Sequence, residues 1–266
     1  MKKAFSQIAW SMPDAPAVHA LLLAHGFTGV EVAPTKIWPD WVGATPDAAA
    51  AYRRALAAEG LAVPALQAIL FGKPNARLFG TPEQQAEFIA HLTLVAQLAN
   101  ALEAPVVVIG APKNRIRGDL SSTEADSLAL PIFERLGAEF QRMGSCLCIE
   151  ANPADYGCDY LTTTTQVRDM VMRVGSTGIG LHVDTAQLLM GGEHLSSFVG
   201  NATCPIRHVH LSEPYLEPLD RSAKVAHRDN MEILDQAQYA GWVSVEMREA
   251  PDNATSAIRE TLCRIG

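Results

Sequence analysis

Short apolar, β-branched runs alternate along the chain with longer amphipathic stretches, and Gly or Pro stands at most boundaries. Eight such runs predict strands: Ala4 to Ala9, Gly29 to Ala33, Val63 to Ile69, Val106 to Gly110, Cys146 to Asn152, Gly180 to Asp184, His208 to Ser212 and Val243 to Met247. The stretches between them predict helices over Pro13 to His25, Pro46 to Glu59, Pro82 to Glu103, Glu124 to Met143, Thr164 to Val174 and Asn230 to Ala240. Several of these carry Pro in or near the first turn, and a last helix runs from Asp252 to Ile265. The sixth connection, Leu188 to Pro205, is the shortest and predicts only a brief helix. Eight alternations in 266 residues match the count and size of an α/β fold of the (β/α)8 barrel type, with a doubly wound open sheet as the alternative. No Gly/Ser-rich linker, compositional break or internal repeat interrupts the chain, so residues 1–266 read as one barrel domain.

Composition narrows the function classes. With 48% hydrophobic and 19% charged residues the chain can bury a sizeable core and is too apolar to be disordered. The balance of 21 Lys+Arg against 29 Asp+Glu gives a net charge of −8, and no basic run offers a footprint for nucleic acid. Five cysteines without a CxxC pair predict free thiols in a reducing compartment. No apolar run approaches the roughly 18 residues of a membrane span, and none near Met1 resembles a secretory signal. A cytoplasmic protein with no membrane and no nucleic-acid partner is expected.

Candidate chemistry sits at the ends of the last four runs: Cys-Leu-Cys-Ile-Glu150, Leu-His-Val-Asp184, His-Val-His210 and Val-Ser-Val-Glu246. Strand side chains alternate faces, so Leu147, Ile149, Leu181, Val183, Val209, Val243 and Val245 share the helix-covered face. The opposite parity sends Cys148, Glu150, His182, Asp184, His208, His210, Ser244 and Glu246 into the barrel. Unpaired buried charges cost several kcal/mol per ion, and a shared divalent cation held by Glu150, Asp184, His210 and Glu246 removes that cost. Three carboxylates with one imidazole form a hard set that favours Mn²⁺ or Mg²⁺, with Zn²⁺ or Co²⁺ as alternatives. Such an ion can hold a substrate carbonyl and its neighbouring hydroxyl, acidifying the C–H between them and stabilising an enediolate. Glu150 and Glu246 then serve as the catalytic pair, one removing a proton from carbon and the other returning one. Return to the opposite face is epimerisation, return to the adjacent carbon is aldose–ketose isomerisation, and loss of a β-hydroxyl is dehydration.

With these residues in place, nearly the whole sequence resembles the sugar phosphate isomerase/epimerase group of xylose-isomerase-like TIM barrels. That group includes tagatose and psicose 3-epimerases, inosose and dehydroshikimate dehydratases and, more distantly, endonuclease IV. The resemblance rests on Gly-Val-Glu31-Val-Ala-Pro34, Gly110-Ala-Pro-Lys113-Asn114-Arg115, Cys-Ile-Glu150-Ala-Asn152-Pro, Leu-His-Val-Asp184-Thr, His208-Val-His210-Leu-Ser-Glu213-Pro and Gly241-Trp-Val-Ser-Val-Glu246. It implies one catalytic divalent ion on Glu150, Asp184, His210 and Glu246, the two glutamates as acid and base, and a small carbohydrate substrate: a sugar, sugar phosphate or related polyol ketone. It also implies that a homo-oligomer is one expected state. A dehydratase, or a carbohydrate-binding barrel without turnover, are the alternatives. The chain departs from many relatives in reading Asp184-Thr185-Ala186-Gln187 where they read Asp-Thr-x-His, and Pro214-Tyr215-Leu216-Glu217 where ketose 3-epimerases carry an Arg.

Further polar residues fall near the same end of the barrel. Gln187, Asn152, Gln67 and Glu31 are candidate substrate contacts, while Lys113 and Arg115 form a cationic loop able to hold a phosphate or carboxylate. His182 and His208, one inward step below Asp184 and His210, suit support of the metal ligands from behind. Arg221, Lys224, His227 and Arg228 after the seventh strand offer a substitute for the missing Arg, and Cys148 reads as a packing residue rather than a nucleophile.

Overall fold

A computed structural model describes residues 1–220, 222–251 and 253–265. Its eight parallel strands are β1 (Lys2–Ser6), β2 (Gly29–Glu31), β3 (Ala65–Leu66), β4 (Val106–Ile109), β5 (Cys146–Ile149), β6 (Ile179–Asp184), β7 (Ile206–Ser212) and β8 (Trp242–Glu246). They pair in the order β2-β1-β8-β7-β6-β5-β4-β3. Isolated bridges from Gly29 to Ala62 and from Val32 to Leu66 draw the two ends together, so the sheet is a nearly closed barrel with helices between its strands. The (β/α)8 expectation holds, and the open doubly wound sheet does not.

Several strands are shorter than their predicted runs, β1 and β3 for clear local reasons. β1 stops at Ser6 because that side chain turns to accept the Ile8 amide at 3.4 Å, starting a 3-10 turn over Gln7–Ala9. β3 keeps only two residues of Val63 to Ile69. Pro64 has no N–H to give a ladder, and Ala68 enters the left-handed region at φ 54°. The main helices follow their start signals. Thr81 with Gln84, and Ser121 with Glu124, form capping boxes ahead of Pro82–Leu102 and Ser122–Arg142. The sixth connection holds only a short helix, as expected, but it runs Thr185–Gly191 and so begins three residues before the expected Leu188. The helix expected over Asn230 to Ala240 lies instead at His227–Gln236, and Gln238 beyond it has φ 54°. The last helix is Ala254–Ile265, its expected first residue, Asp252, lying outside the described residues.

The main core fills the space between strands and helices, with Val107, Ile109, Leu147, Ile149, Leu181, Val183, Val209, Val243 and Val245 facing Phe88, Phe133, Phe140 and their neighbours. The barrel interior is divided. Under β3 to β5 it holds a small apolar cluster of Ala65, Val106, Val108, Cys146 and Cys148, whereas under β6 to β8 it holds buried His182, His208, His210 and Ser244. Cys148 is therefore a packing residue, and all five cysteines are free thiols. No described helix is long and apolar enough to cross a membrane.

One contact joins helix and barrel at backbone distance. A Cβ on Gly178, just before β6, would overlap the Gly137 carbonyl oxygen in helix Ser122–Arg142 and lie 2.8 Å from the Gln141 nitrogen. Gly178→Ala is expected to cost about 2–3 kcal/mol, because backbone cannot yield as a side-chain tip can. Urea denaturation checks this, and an unchanged midpoint would contradict it.

Candidate metal centre and active-site cavity

Strand register brings the four predicted ligands to one place. Asp184 on β6 is the direct partner of His210 on β7, and Ser212 two residues further along β7 is the partner of Glu246 on β8. Glu150 follows the last residue of β5. One ligand atom from each of Glu150, Asp184, His210 and Glu246 falls within 4.8 Å of all the others, and all four residues are buried.

The imidazole is oriented from behind. His210 Nε2 lies 2.9 Å from both carboxylate oxygens of Glu31, which is itself fully buried, so Nε2 carries the proton donated to Glu31. Nδ1 then faces the carboxylates, 3.2 Å from Glu246 and 3.9 Å from both Glu150 and Asp184, yet makes no hydrogen bond. Asp184 is fixed twice, Oδ1 accepting the Gln187 amide at 2.9 Å and Oδ2 the Ser212 hydroxyl at 2.5 Å. The Glu31 carboxylate also lies 3.3 Å from His208 Nε2, which contacts the Ser244 hydroxyl at 3.1 Å.

Charge is unbalanced without a cation. Burial, then the neighbouring Glu246 and Asp184 carboxylates, push Glu150 up to about 8. Burial and Glu246 raise Asp184 to about 6. Burial opposes the charge on Glu31, but His210 and His208 overcome it and hold the carboxyl well below its ordinary range. Burial opposes the charge on His210 as well, but Glu31 and Glu246 outweigh it and raise the imidazole well above its usual value. An orphaned buried nitrogen aimed at three oxygens, two of them reluctant to ionise, fits one divalent ion on Glu150, Asp184, His210 and Glu246.

The site opens into a cavity of about 700 Å³, lined by Glu150, His210 and Glu246 together with Gln67, Lys113, Asn152 and Gln187. Gln187 lines this cavity, and its buried Oε1 has no hydrogen-bond partner. Asn152 Nδ2 donates to the Ala151 carbonyl at 2.9 Å and lies 3.5 Å from Glu150 Oε2. Gln67 donates to the Ser6 hydroxyl. His182 and His208 sit beneath the ligands, with His182 3.7 Å from Glu150.

Two expectations change. Glu31, expected to meet substrate, lies under His210 with no exposed surface. Arg115, expected to grip an anion, is fully buried and donates to the Glu150 carbonyl at 2.9 Å. The turn Pro112–Asn114, entered through Ala111 at φ 47°, carries Lys113 to the cavity and Arg115 inward. The loop after β7 is also committed elsewhere. Glu213 accepts the Lys224 and Val225 amides at 2.8 and 3.0 Å and lies 2.7 Å from His227 Nε2. Lys224, His227 and Arg228 are not among the cavity's lining residues, and Arg221 lies outside the described residues.

Residues absent from the sequence reasoning also matter. Ser212 has the inward parity of His208 and His210, a signal that was available, whereas Tyr156, Lys73 and Arg77 reach the cavity from loops with no strand-end signature. Gly110 gives room to a ligand, since a Cβ there would meet Glu150 Oε2.

The family model of xylose isomerase-like TIM barrels matches residues 20–264, and the chain belongs to that family. A protein of Streptomyces coelicolor provisionally named a hydroxypyruvate isomerase is 25% identical over 244 residues, 88% of this chain and 85% of the relative. Among solved structures, the 3-keto-D-glucoside 4-epimerase YcjR of E. coli superposes with TM-score 0.80 at 14% identity, covering 100% of this chain and 98% of that one. The D-psicose 3-epimerase of Clostridium cellulolyticum H10, solved with D-tagatose, gives 0.74 at 14% identity over 100% and 95%. The IOLI protein with a zinc atom bound gives 0.74 at 15% over 100% and 96%. At these identities the structural likenesses speak for the fold.

Two substitutions separate the centre from the fold. Glu31→Gln leaves all four ligands in place but loses the charge behind His210, and is expected to weaken divalent-metal binding about 10–100-fold in competition with a chromogenic chelator. Gly110→Ala is expected to weaken it about tenfold or more with little change in denaturation midpoint, because only the Glu150 tip is displaced. Unchanged metal affinity in both variants would contradict the assignment.

The same charges set a pH dependence. Glu150 and Asp184 bind protons more tightly folded than unfolded, so they disfavour the metal-free fold increasingly as pH rises from about 4.5 to about 8. His210, also raised, contributes stability below its ordinary value that is lost as pH climbs through its folded one, so it acts in the same direction. Glu31, lowered, contributes above about 4.5 and loses effect only in acid. Buried His182, His208, His91 and His227, all lowered, oppose the loss of stability with rising pH below about 6.5, so the thermal midpoint of chelated protein is expected to fall between about pH 7 and 8, and added Mn²⁺ or Mg²⁺ to reduce the fall. A flat profile would contradict this.

Proposed function

We propose that this chain is a divalent-metal-dependent isomerase or epimerase of a small sugar, sugar phosphate or related polyol ketone. The observation carrying this reading is the entry of Glu150 and Glu246 into one cavity from β5 and β8, with Asp184 and His210 on the two strands between them. The isomerase name of the Streptomyces relative and the epimerase names of two structural neighbours support it.

A divalent ion bound to these four side chains supplies Lewis-acid chemistry, polarising a carbonyl and acidifying the C–H beside it. The side chains do the rest. Glu150 and Glu246 line the cavity from different strands, so one carboxylate takes the proton from carbon while the other, protonated, returns one. The free Oε1 of Gln187 accepts a substrate hydroxyl, and Asn152 stands beside Glu150 Oε2 to steady that carboxylate. Arg115, tied to the Glu150 carbonyl, holds the strand end beneath it.

The test is proton exchange. Metal-loaded protein incubated with ketoses in D2O is expected to place deuterium at the carbon beside the carbonyl of recovered substrate and product. Glu150→Gln and Glu246→Gln are each expected to lower the exchange rate at least about 10²-fold. Release of water in place of exchange would mark a dehydratase. Ligand binding without exchange, with metal in place, would overturn the enzymatic reading.

A further inference from the structure

The cavity has a second chemical face that Glu150 and Glu246 do not use. Lys73 and Arg77, which follow β3, and Lys113, which follows β4, all line it. Among the described residues the ion pairs take other cations, such as Lys36 with Glu249 and Arg173 with Asp126, and these three have no carboxylate partner. Glu150 and Glu246 are the only carboxylates among the described lining residues. In a chain of net charge −8, three cations without a carboxylate partner, half-buried Lys73 and exposed Arg77 and Lys113, line one side of a single cavity and give it a positive potential against the overall balance.

Their backbone is laced together. Asn114, buried, donates from Nδ2 to the carbonyls of Lys73 at 2.8 Å and Ala76 at 2.7 Å, and its own carbonyl accepts the Leu78 amide at 2.9 Å. One asparagine thus fixes the loop carrying Lys73 and Arg77 against the turn carrying Lys113. Such pre-positioning lowers the ordering cost of binding.

We infer that this side of the cavity is an anion subsite, and that the substrate carries a phosphate or carboxylate on the carbon chain away from its ketone. Two ammonium groups and one guanidinium supply charge-assisted donors to such oxygens. The inference rests on the proposal that this cavity is the substrate site, and it narrows the substrate class from sugars in general to anionic ones.

Calorimetry with metal-loaded protein tests it, using D-fructose, D-fructose 6-phosphate and 5-keto-D-gluconate. At least one anionic ketose is expected to bind about tenfold or more tighter than fructose, a margin of about 1.4 kcal/mol. The ratio is expected to fall to about one in the triple variant Lys73→Met, Arg77→Met, Lys113→Met. Whichever anion shows the larger margin identifies the natural headgroup. Inorganic phosphate titrated into chelated protein gives a second readout, binding wild type and not the variant. Should the triple variant fail to fold, Lys113→Met alone carries both comparisons, with partial loss expected. Phosphate binding that ignores the substitutions, or equal affinity for neutral and anionic ketoses, would overturn the subsite. Phosphate binding that depends on the three cations, with no ketose bound, would keep the subsite and overturn the sugar-isomerase reading instead.

Discussion

Three carboxylates and an imidazole brought within 4.8 Å of one another inside a protein constitute a problem in electrostatics before they constitute a site. Each carboxylate taken from water costs several kcal/mol unless it is paired, and here each lies close to others of the same charge. In the absence of a cation, protons must balance the charge, and the raised proton affinities of Glu150, Asp184 and His210 are the expression of that demand. A divalent ion answers it with one particle, and the same polarising charge suits proton removal beside a carbonyl.

The surrounding structure holds this arrangement open. Glu31 anchors His210 through Nε2 and so aims Nδ1 at the carboxylates, and Ser212 with the Gln187 amide prevents Asp184 from rotating away. Gly110 leaves the space that Glu150 fills. The interior accordingly divides into a small apolar half under β3 to β5 and a histidine-rich half under β6 to β8. The apolar half packs to fill, while the polar half stacks His182 and His208 as a platform for His210.

Much of this was legible in the sequence, because strand parity alone assigns a face to every residue of a parallel barrel strand. Leu147, Val183, Val209 and Val245 pack against the helices and Glu150, Asp184, His210 and Glu246 converge, as alternation requires. What parity cannot give is the path of a loop. Arg115 reads as a ligand-gripping cation in a basic tripeptide, but the left-handed Ala111 and the turn after it rotate its side chain into the core. Lys73 and Arg77 are separated from Lys113 by more than 30 residues, so their shared cavity follows only from the Asn114 hydrogen bonds between loops. Glu31 does end a strand, as its run implies, yet its role depends on which way β2 faces His210 across the barrel, a long-range relation with no local sign.

The chemistry of the site turns on whether Glu150, Asp184, His210 and Glu246 hold one divalent ion. Elemental mass spectrometry on protein purified without chelator tests it directly, comparing wild type with His210→Ala and Asp184→Asn. Close to one Mn, Mg, Zn or Co per chain is expected in wild type and a sharp loss in both variants, with the fold retained. Wild-type protein that is folded, purified empty and still binds no divalent ion on reconstitution would contradict it.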